Sequence, residues 1–219
     1  PRIGASLVPA TCNNITIQAG ATLTFTDPTA ELQVCGHFNH DGGVNTTLGG
    51  RVRFVGSAVQ NYARSATATG NFYQVIIDKG AAPLASRRVD VTNLPMVITN
   101  QLHFIAGRIA TTATNHVQVT NPNPVSITGY GVDNYIQGRL RRAILPGGGL
   151  YALPVGDVHP AQTPTGKGYQ LAMINLDPTT VSELLAYFTP TPQTIPTTAE
   201  PPCFTNYVCA LDNGFWTIQ

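Results

Sequence analysis

Short runs in which apolar and polar residues alternate return along most of the chain. In 15–25 apolar residues occupy every second position, with one break at Gly20. The same alternation returns in six further segments, 30–38, 51–56, 75–78, 89–91, 102–107 and 117–119. They recur roughly every 15 to 25 residues, which is the length of one coil of a parallel β-helix. The pattern therefore predicts an all-β chain whose coils stack into a shaft.

Changes in composition indicate three regions. Residues 1–146 carry the repeated strands, punctuated by glycines, and are predicted to form a right-handed parallel β-helix. Residues 147–188 open with a glycine triplet and hold longer segments that are typical of antiparallel strands. Residues 189–219 start with a Pro/Thr-rich stretch, followed by a cysteine loop and a final strand that completes or packs on the preceding region. The predicted fold is thus a parallel β-helix followed by a small antiparallel β-sandwich-like domain.

The composition predicts a polar surface with few charges. Charged residues make up 11% of the chain, whereas ordinary soluble domains contain roughly 25%. The formal net charge of +1 gives no electrostatic basis for binding nucleic acid or an anionic membrane. No run of about 18 apolar residues is present, so no membrane insertion is predicted. Lysines that could block strand edges are scarce, so those edges must be covered by stacking, loops or partner chains.

The four cysteines form two local pairs. Cys12 and Cys35 are separated by about one coil, and Cys203 and Cys209 flank a short turn. Four cysteines allow three connectivities, of which the local pairing is the most economical. Disulfides would imply an oxidising, extracellular setting, and the alternative is buried free thiols. A four-thiolate zinc site is disfavoured because the usual C-x-x-C spacing is lacking.

Few side chains form a pattern that is typical of catalysis or metal binding. His37 and His40 are three residues apart, so in a strand they point to opposite faces unless the chain turns between them. Asp78 and Asp90 could stack on adjacent coils near Arg88, since glycoside hydrolysis needs two carboxylates about 5 to 9.5 Å apart. A turn residue and a solvated strand residue explain these aspartates equally well. We therefore predict no enzyme activity, no metal site and no cofactor.

Several stretches resemble the modules of large surface proteins of Bacteroidota. Residues 71–79, 89–92 and 101–109 are similar to the register FYNLTINK … VTV … LTLTNGRI of those proteins. The resemblance continues through four further segments. Residues 135–142 are similar to the family's YVNGRLRR, 153–156 to FPVG, 186–188 to EYF and 213–218 to GYWTI. It implies a secreted cell-surface module of the kind found in long adhesin-like proteins exported by a type IX route. The segment 189–212 departs from the family pattern and is a candidate contact surface.

The basic run 139–142 has two interpretations. In a strand, Arg139 and Arg141 share one face, and Leu140 and Arg142 share the other. Three arginines in four residues could form a recognition patch. The resemblance favours a structural seam between the helix and the region after it.

Together these observations predict an extracellular structural or adhesive module, without catalysis, of a cell-surface stalk or filament. The chain starts without Met and ends in an alternating segment, so we expect a processed product or part of a longer protein. The expected partners are further copies or neighbouring modules of the same long protein, and surface glycans in addition. The alternative is a carbohydrate-binding module of a secreted polysaccharide-degrading protein, suggested by a β-helix joined to a Thr/Pro linker.

Overall fold

The computed structural model describes residues 1–6, 8–163, 166–178, 180–190 and 214–219. In these residues the chain forms a β-solenoid of about seven coils, with 53% of its residues in strands. The described part contains a single 3₁₀ turn, Leu84–Ser86, and no α-helix. It accordingly holds no helix of the length and apolar character needed to cross a membrane. The predicted all-β class and the parallel β-helix are confirmed.

The strands are short in the coils and longer at the end of the chain. In chain order they are β1 (Arg2–Ile3), β2 (Ala10–Cys12), β3 (Ile15–Ile17), β4 (Thr22–Phe25), β5 (Glu31–Val34), β6 (Phe38–His40), β7 (Gly43–Asn45), β8 (Arg51–Phe54), β9 (Gln60–Arg64), β10 (Phe72–Asp78), β11 (Arg88–Asn93), β12 (Met96–Ala106), β13 (Arg108–Ala110), β14 (Val117–Val119), β15 (Ile127–Thr128), β16 (Ile136–Gln137), β17 (Leu140–Ala143), β18 (Gly149–Gly156), β19 (Tyr169–Leu176), β20 (Glu183–Pro190) and β21 (Gly214–Ile218).

These strands form three sheets. Sheet A joins β1, β4 and β7, and sheet B runs β2-β5-β8-β10-β12-β14-β17-β20-β21, with β15 beside β12. Sheet C runs β19-β18-β16-β13-β11-β9-β6-β3. Ladder partners in neighbouring coils are 19 residues apart at Ile136 and Val155 but 29 apart at Tyr62 and Val91. Coils therefore differ in length, because the corners between strands hold loops of different size.

Apolar residues stack coil upon coil inside the solenoid. In sheet B the ladder places Leu32, Val52, Val75, Leu102 and Ile127 in one row, and all five are buried. Their polar neighbours in sequence point outward, because successive side chains of a strand alternate between faces. The buried residues of the coils form one contiguous core, which extends to Ala186 and Phe188 of β20. The alternation in the sequence thus identified the face that closes the shaft.

Glycine is required at corners where two coils nearly touch. Gly70 has φ +74°, and a Cβ placed there would lie 1.9 Å from the carbonyl oxygen of Val44. Gly129 has φ +73°, and its Cβ would lie 1.9 Å from the carbonyl oxygen of Phe104. Any other residue would suffer both backbone strain and a clash with the preceding coil.

The last described strands are antiparallel, as predicted, but they continue the solenoid sheets. β19 pairs with β18 in sheet C, while β20 pairs with β17 and then with β21 in sheet B. Between these extensions, Ile144, Tyr151 and Leu184 form a second small buried cluster. Because both extensions belong to the solenoid sheets, a separate sandwich-like domain stays a prediction. Most of the predicted Pro/Thr-rich segment and its cysteine loop lie outside the described residues.

Candidate functional site

The outward face of sheet B carries a ladder of opposite charges. Arg51 Nε lies 2.7 Å from the carboxylate of Glu31, whose side chain is almost fully buried. Arg53 lies 3.5 Å from Glu31 and 3.7 Å from Asp78. Opposite charges on neighbouring strands stabilise the pairing of coils. Since Arg53 contacts both carboxylates, these residues form a ladder of alternating charges across neighbouring coils.

Asp78 and Asp90 do not stack as the sequence suggested. Asp78 belongs to β10 in sheet B, whereas Asp90 belongs to β11 in sheet C. Arg88 contacts Asp90 within the same strand, with Nε 2.6 Å from Oδ1. The suggested stacking is wrong because a corner loop and the 3₁₀ turn move the chain from one sheet to the other between these residues.

His37 and His40 lie in different environments, because His37 precedes β6 and His40 is its last residue. His40 is fully buried, with Nδ1 3.0 Å from the Tyr62 hydroxyl and Nε2 3.2 Å from the Thr69 carbonyl oxygen. Burial lowers the pKa of His40, and nearby Arg64 lowers it further. His37 is exposed and accepts a hydrogen bond from a backbone N–H. His40 is therefore a hydrogen-bonded core residue. In the described ranges, no three His, Cys, Asp or Glu side chains come together as a metal site would require.

The basic run 139–142 divides between the two faces of β17, as predicted. Leu140 and Arg142 are fully buried, whereas Arg141 points outward and lies 3.2 Å from Glu183. The guanidinium of Arg139 lies 4.5 Å from the centre of the Tyr187 ring, within cation–π distance. Each outward arginine thus contacts β20, the first antiparallel strand of sheet B.

Arg142 joins the last coil to the antiparallel strands. It donates hydrogen bonds to the carbonyl oxygens of Ala152 at 2.6 Å, of Asn123 at 3.1 Å and of Pro124. Burial lowers the pKa of Arg142 to about 10. Since the acceptors belong to β18 and to the loop before β15, this side chain forms the kind of structural seam that the resemblance favoured.

A second buried cation, Lys79, fills a corner of the coils. Its Nζ donates to Gln60 Oε1 at 2.8 Å and to the Gly56 carbonyl oxygen at 3.2 Å. Gln60 in turn donates to the carbonyl oxygens of Val34 and Gly36. Burial lowers the pKa of Lys79 to about 8. These hydrogen bonds connect three successive coils. Lys79 thereby supplies hydrogen-bond donors to the oxygens of this corner.

The predicted disulfide between Cys12 and Cys35 is absent, and both thiols are free. In the ladder Cys12 lies opposite Val34, and Cys35 comes one residue later with its N–H bonded to the Cys12 carbonyl oxygen. Successive side chains along a strand point to opposite faces, so this register does not align the two thiols. Burial raises the pKa of Cys12, and Cys35 nearby raises it further. Cys203 and Cys209 lie outside the described residues.

A contact between two loops, made by the His159 ring, was not predicted from the sequence. His159 Nε2 lies 2.7 Å from Asp133 Oδ1, and Nδ1 accepts a hydrogen bond from the Ala161 N–H at 3.0 Å. Both ring nitrogens are occupied, which leaves neither free to act as a general base. The pair instead fastens the loop after β18 to the turn before β16. The only sequence signal was a separation of about one coil between two ordinary loop residues.

A cleft of about 280 Å³ opens where sheet C passes into sheet B, and its residues were not identified from sequence. Arg64 contributes from the end of β9, and Leu94 and Pro95 contribute from the corner before β12. Gln118 and Arg141 are ladder partners on the outward face of sheet B. The only hint in the sequence was a spacing of whole coils, since these residues are far apart in the chain.

Positive charge exceeds negative charge in this corner cleft. Arg64 donates hydrogen bonds to uncharged oxygens, among them Asn71 Oδ1 at 3.1 Å. Arg141 has one carboxylate partner, Glu183, and both of these side chains are substantially exposed. Burial lowers the pKa of His116, which also lines the cleft, and Arg141 lowers it further. At neutral pH the cleft is therefore lined by two arginines and a neutral imidazole.

The edge strand β19 of sheet C is a second candidate site. In the described part of the chain, β19 pairs only with β18. Its eight residues include no charged residue and no proline, the features that usually protect an edge. On its outward face Leu171 is 41% exposed and Met173 48%, while Ala172 and Ile174 pack against the core. This edge can therefore accept a further strand.

Comparisons with known proteins find no counterpart for this arrangement. No protein-family model matches the chain, and no match is found among curated proteins or solved structures. Function is therefore inferred from the geometry of the chain itself.

Proposed function

We propose that the chain is a structural or adhesive module of an extracellular cell-surface stalk or filament. The coil stack supports this proposal, because the ladders of sheets B and C continue from the first coil into the antiparallel strands. A contiguous core along those sheets suits a stiff spacer. The resemblance to Bacteroidota surface modules supports the extracellular location.

The observation that carries the proposal is that β19 has one neighbouring strand among the described residues. A strand from a further copy of the chain would extend sheet C and satisfy the outward N–H and C=O groups of β19. It would also cover Leu171 and Met173, which are apolar and exposed. Main-chain hydrogen bonds would supply affinity, and the apolar side chains would supply complementarity.

The proposal is tested by placing one positive charge on the edge strand β19. Met173→Lys places a strongly hydrated cation on the edge strand, which should oppose strand addition. Leu150→Lys is the matched control, because Leu150 is 53% exposed on the same face but lies on β18, one strand inside the edge. We expect the wild type and Leu150→Lys to associate with rising concentration, and Met173→Lys to remain monomeric, in sedimentation velocity and electron microscopy.

Two results would contradict the proposal. A wild-type chain that stays monomeric at all concentrations and does not adhere to cells would remove the structural and adhesive function. Equal loss of association in both variants would place the contact on the outward face and not on the edge.

A second candidate function is binding of neutral carbohydrate, as in a module of a polysaccharide-degrading protein. A depression of about 380 Å³ is lined by amides and hydroxyls, including Asn45, Thr47 and Asn71. Thr47 donates to Asn45 Oδ1 at 2.7 Å, so part of this lining is already ordered. A glycan array tests this function, with Asn45→Ala expected to weaken binding and Asn121→Ala, outside the depression, as the control. Absence of any saccharide above background would exclude it.

A further inference from the structure

We propose that the corner cleft between Arg64 and Arg141 binds a small oxyanion, namely the carboxylate or sulfate group of a sugar-sized molecule. This inference is independent of association through β19, which lies on sheet C. It concerns ligand recognition on the side of the shaft, where the chain changes from one sheet to the other.

The two arginines reach the cleft from different coils. Arg64 ends β9 and is the ladder partner of Asn93. Asn93 has φ +69°, a left-handed conformation that asparagine tolerates, and it starts the sharp corner that continues through Leu94 and Pro95. Val97 and Gln118 are the next ladder partners toward Arg141 on sheet B. The corner therefore brings Arg64 and Arg141, from different coils, to the same cleft.

The charge of these arginines is only partly balanced. In the described residues, no carboxylate lies within ion-pair distance of Arg64, whose hydrogen bonds go to Asn71 Oδ1 and a backbone oxygen. Arg141 shares its charge with Glu183 at 3.2 Å. Exposed ion pairs of this kind contribute little free energy. A ligand that makes charge-assisted hydrogen bonds to both guanidinium groups can therefore displace Glu183.

The remaining lining suits the body of a sugar. Ser65, His116 and Gln118 offer neutral hydrogen-bonding groups, while Leu94 and Val97 provide apolar contact. The volume of about 280 Å³ is close to the lower limit of small-molecule sites, roughly 300 Å³. A single monosaccharide with one anionic group fits both the size and the charge of the cleft.

The probes separate the two sources of the anion. Glucuronate carries a carboxylate, N-acetylglucosamine 6-sulfate carries a sulfate, and glucose is the neutral comparison. Each is titrated into the full chain at low salt, with binding followed by NMR chemical shifts. We expect one or both anions to bind, weakening as salt is raised, and glucose to show no saturable binding.

Three variants distinguish this cleft from general surface charge. Arg141→Gln removes a charge-assisted contact, so the affinity should fall about tenfold or more. Glu183→Gln removes the competing carboxylate and should increase the affinity. Arg51→Gln is the matched control, because the side chains of Arg51 and Arg141 are 38% and 36% exposed and each pairs with one glutamate. The control should bind like the wild type.

Each outcome decides the proposal. Binding of glucuronate alone, or of the sulfated sugar alone, supports the cleft and identifies its anion. Equal binding of glucose, equal weakening by Arg51→Gln, or no gain with Glu183→Gln would overturn it. Circular dichroism of every variant separates loss of binding from loss of fold.

Discussion

The parallel coils and the antiparallel strands at the end of the chain belong to the same sheets, but their strand edges are covered in different ways. Each internal coil covers the strand edges of its neighbours, and its outward charges pair across the ladder, as Glu31 does with Arg51. At the other end, β19 has one described neighbour, and its outward face presents Leu171 and Met173. Stacking itself therefore protects the strand edges of a coil, whereas the edge at β19 requires a different form of protection.

The buried cations Lys79 and Arg142 also differ between these two regions. Lys79 lies within the coils and connects three of them through backbone and amide oxygens. Arg142 lies where the coils meet the antiparallel strands and connects those two regions. Both are buried without a carboxylate partner in the described residues. Backbone and amide oxygens thus hold both cations, although burial makes ionisation costly.

The largest expected effect compares a buried aromatic residue in the coils with an exposed one in the antiparallel strands. Phe38 is fully buried in the coils and packs against the rings of Phe54, Tyr62 and Phe72. We expect Phe38→Ala to lower the free energy of unfolding by about 3 to 5 kcal/mol. Phe215→Ala, at a half-exposed position of β21, should cost less than about 1 kcal/mol. Urea unfolding measures both losses. Similar losses for the two variants would contradict a core confined to the coils and the strands beside them.

The next effect concerns the pH dependence that Lys79 imposes on the coils. In the folded chain Lys79 has a pKa of about 8, against 10.5 for an ordinary lysine. Between these values the unfolded chain binds more protons, so the free energy of unfolding should rise with pH. The rise between pH 8 and 10.5 is about 3 kcal/mol at most, and below pH 8 the buried charge has its full cost.

Unfolding of Lys79→Met across this pH range measures the effect. The free energy of unfolding of Lys79→Met minus that of the wild type should fall as the pH rises, because only the wild type gains stability by losing the Lys79 proton. Lys167→Met is the control for loss of a lysine outside the coils, and it should retain the wild-type profile. Parallel profiles for wild type and Lys79→Met would show that the Lys79 ammonium is better solvated than its contacts indicate.

The smallest expected effect tests whether the first coils need a covalent link. Because Cys12 and Cys35 are free thiols, Cys12→Ala should cost about 1 kcal/mol or less. Loss of a disulfide would instead cost about 2 to 4 kcal/mol. Alkylation of the unfolded chain without reductant, followed by peptide mapping, should label both cysteines. An unlabelled pair would restore the disulfide that the spacing predicted.

The sequence by itself determined the class of fold and the inward face of most strands. Alternation placed Val52, Val75 and Leu102 in the core, because a strand that closes a coil must bury every second side chain. It also separated Arg141 from Arg142, since the rule of alternate faces acts within one strand. The longer segments after the glycine triplet predicted antiparallel strands, and β18 to β20 pair in that way.

Only the tertiary structure decided which residues meet across coils. Ladder partners are separated by 19 to 29 residues, and each corner loop changes the register of the next coil. Arg64 and Arg141, Asp133 and His159, and the misaligned Cys12 and Cys35 are all consequences of that register. No local pattern encodes it, because the length of a corner is set by packing against the coil below. The candidate sites therefore emerge only when the coils are stacked.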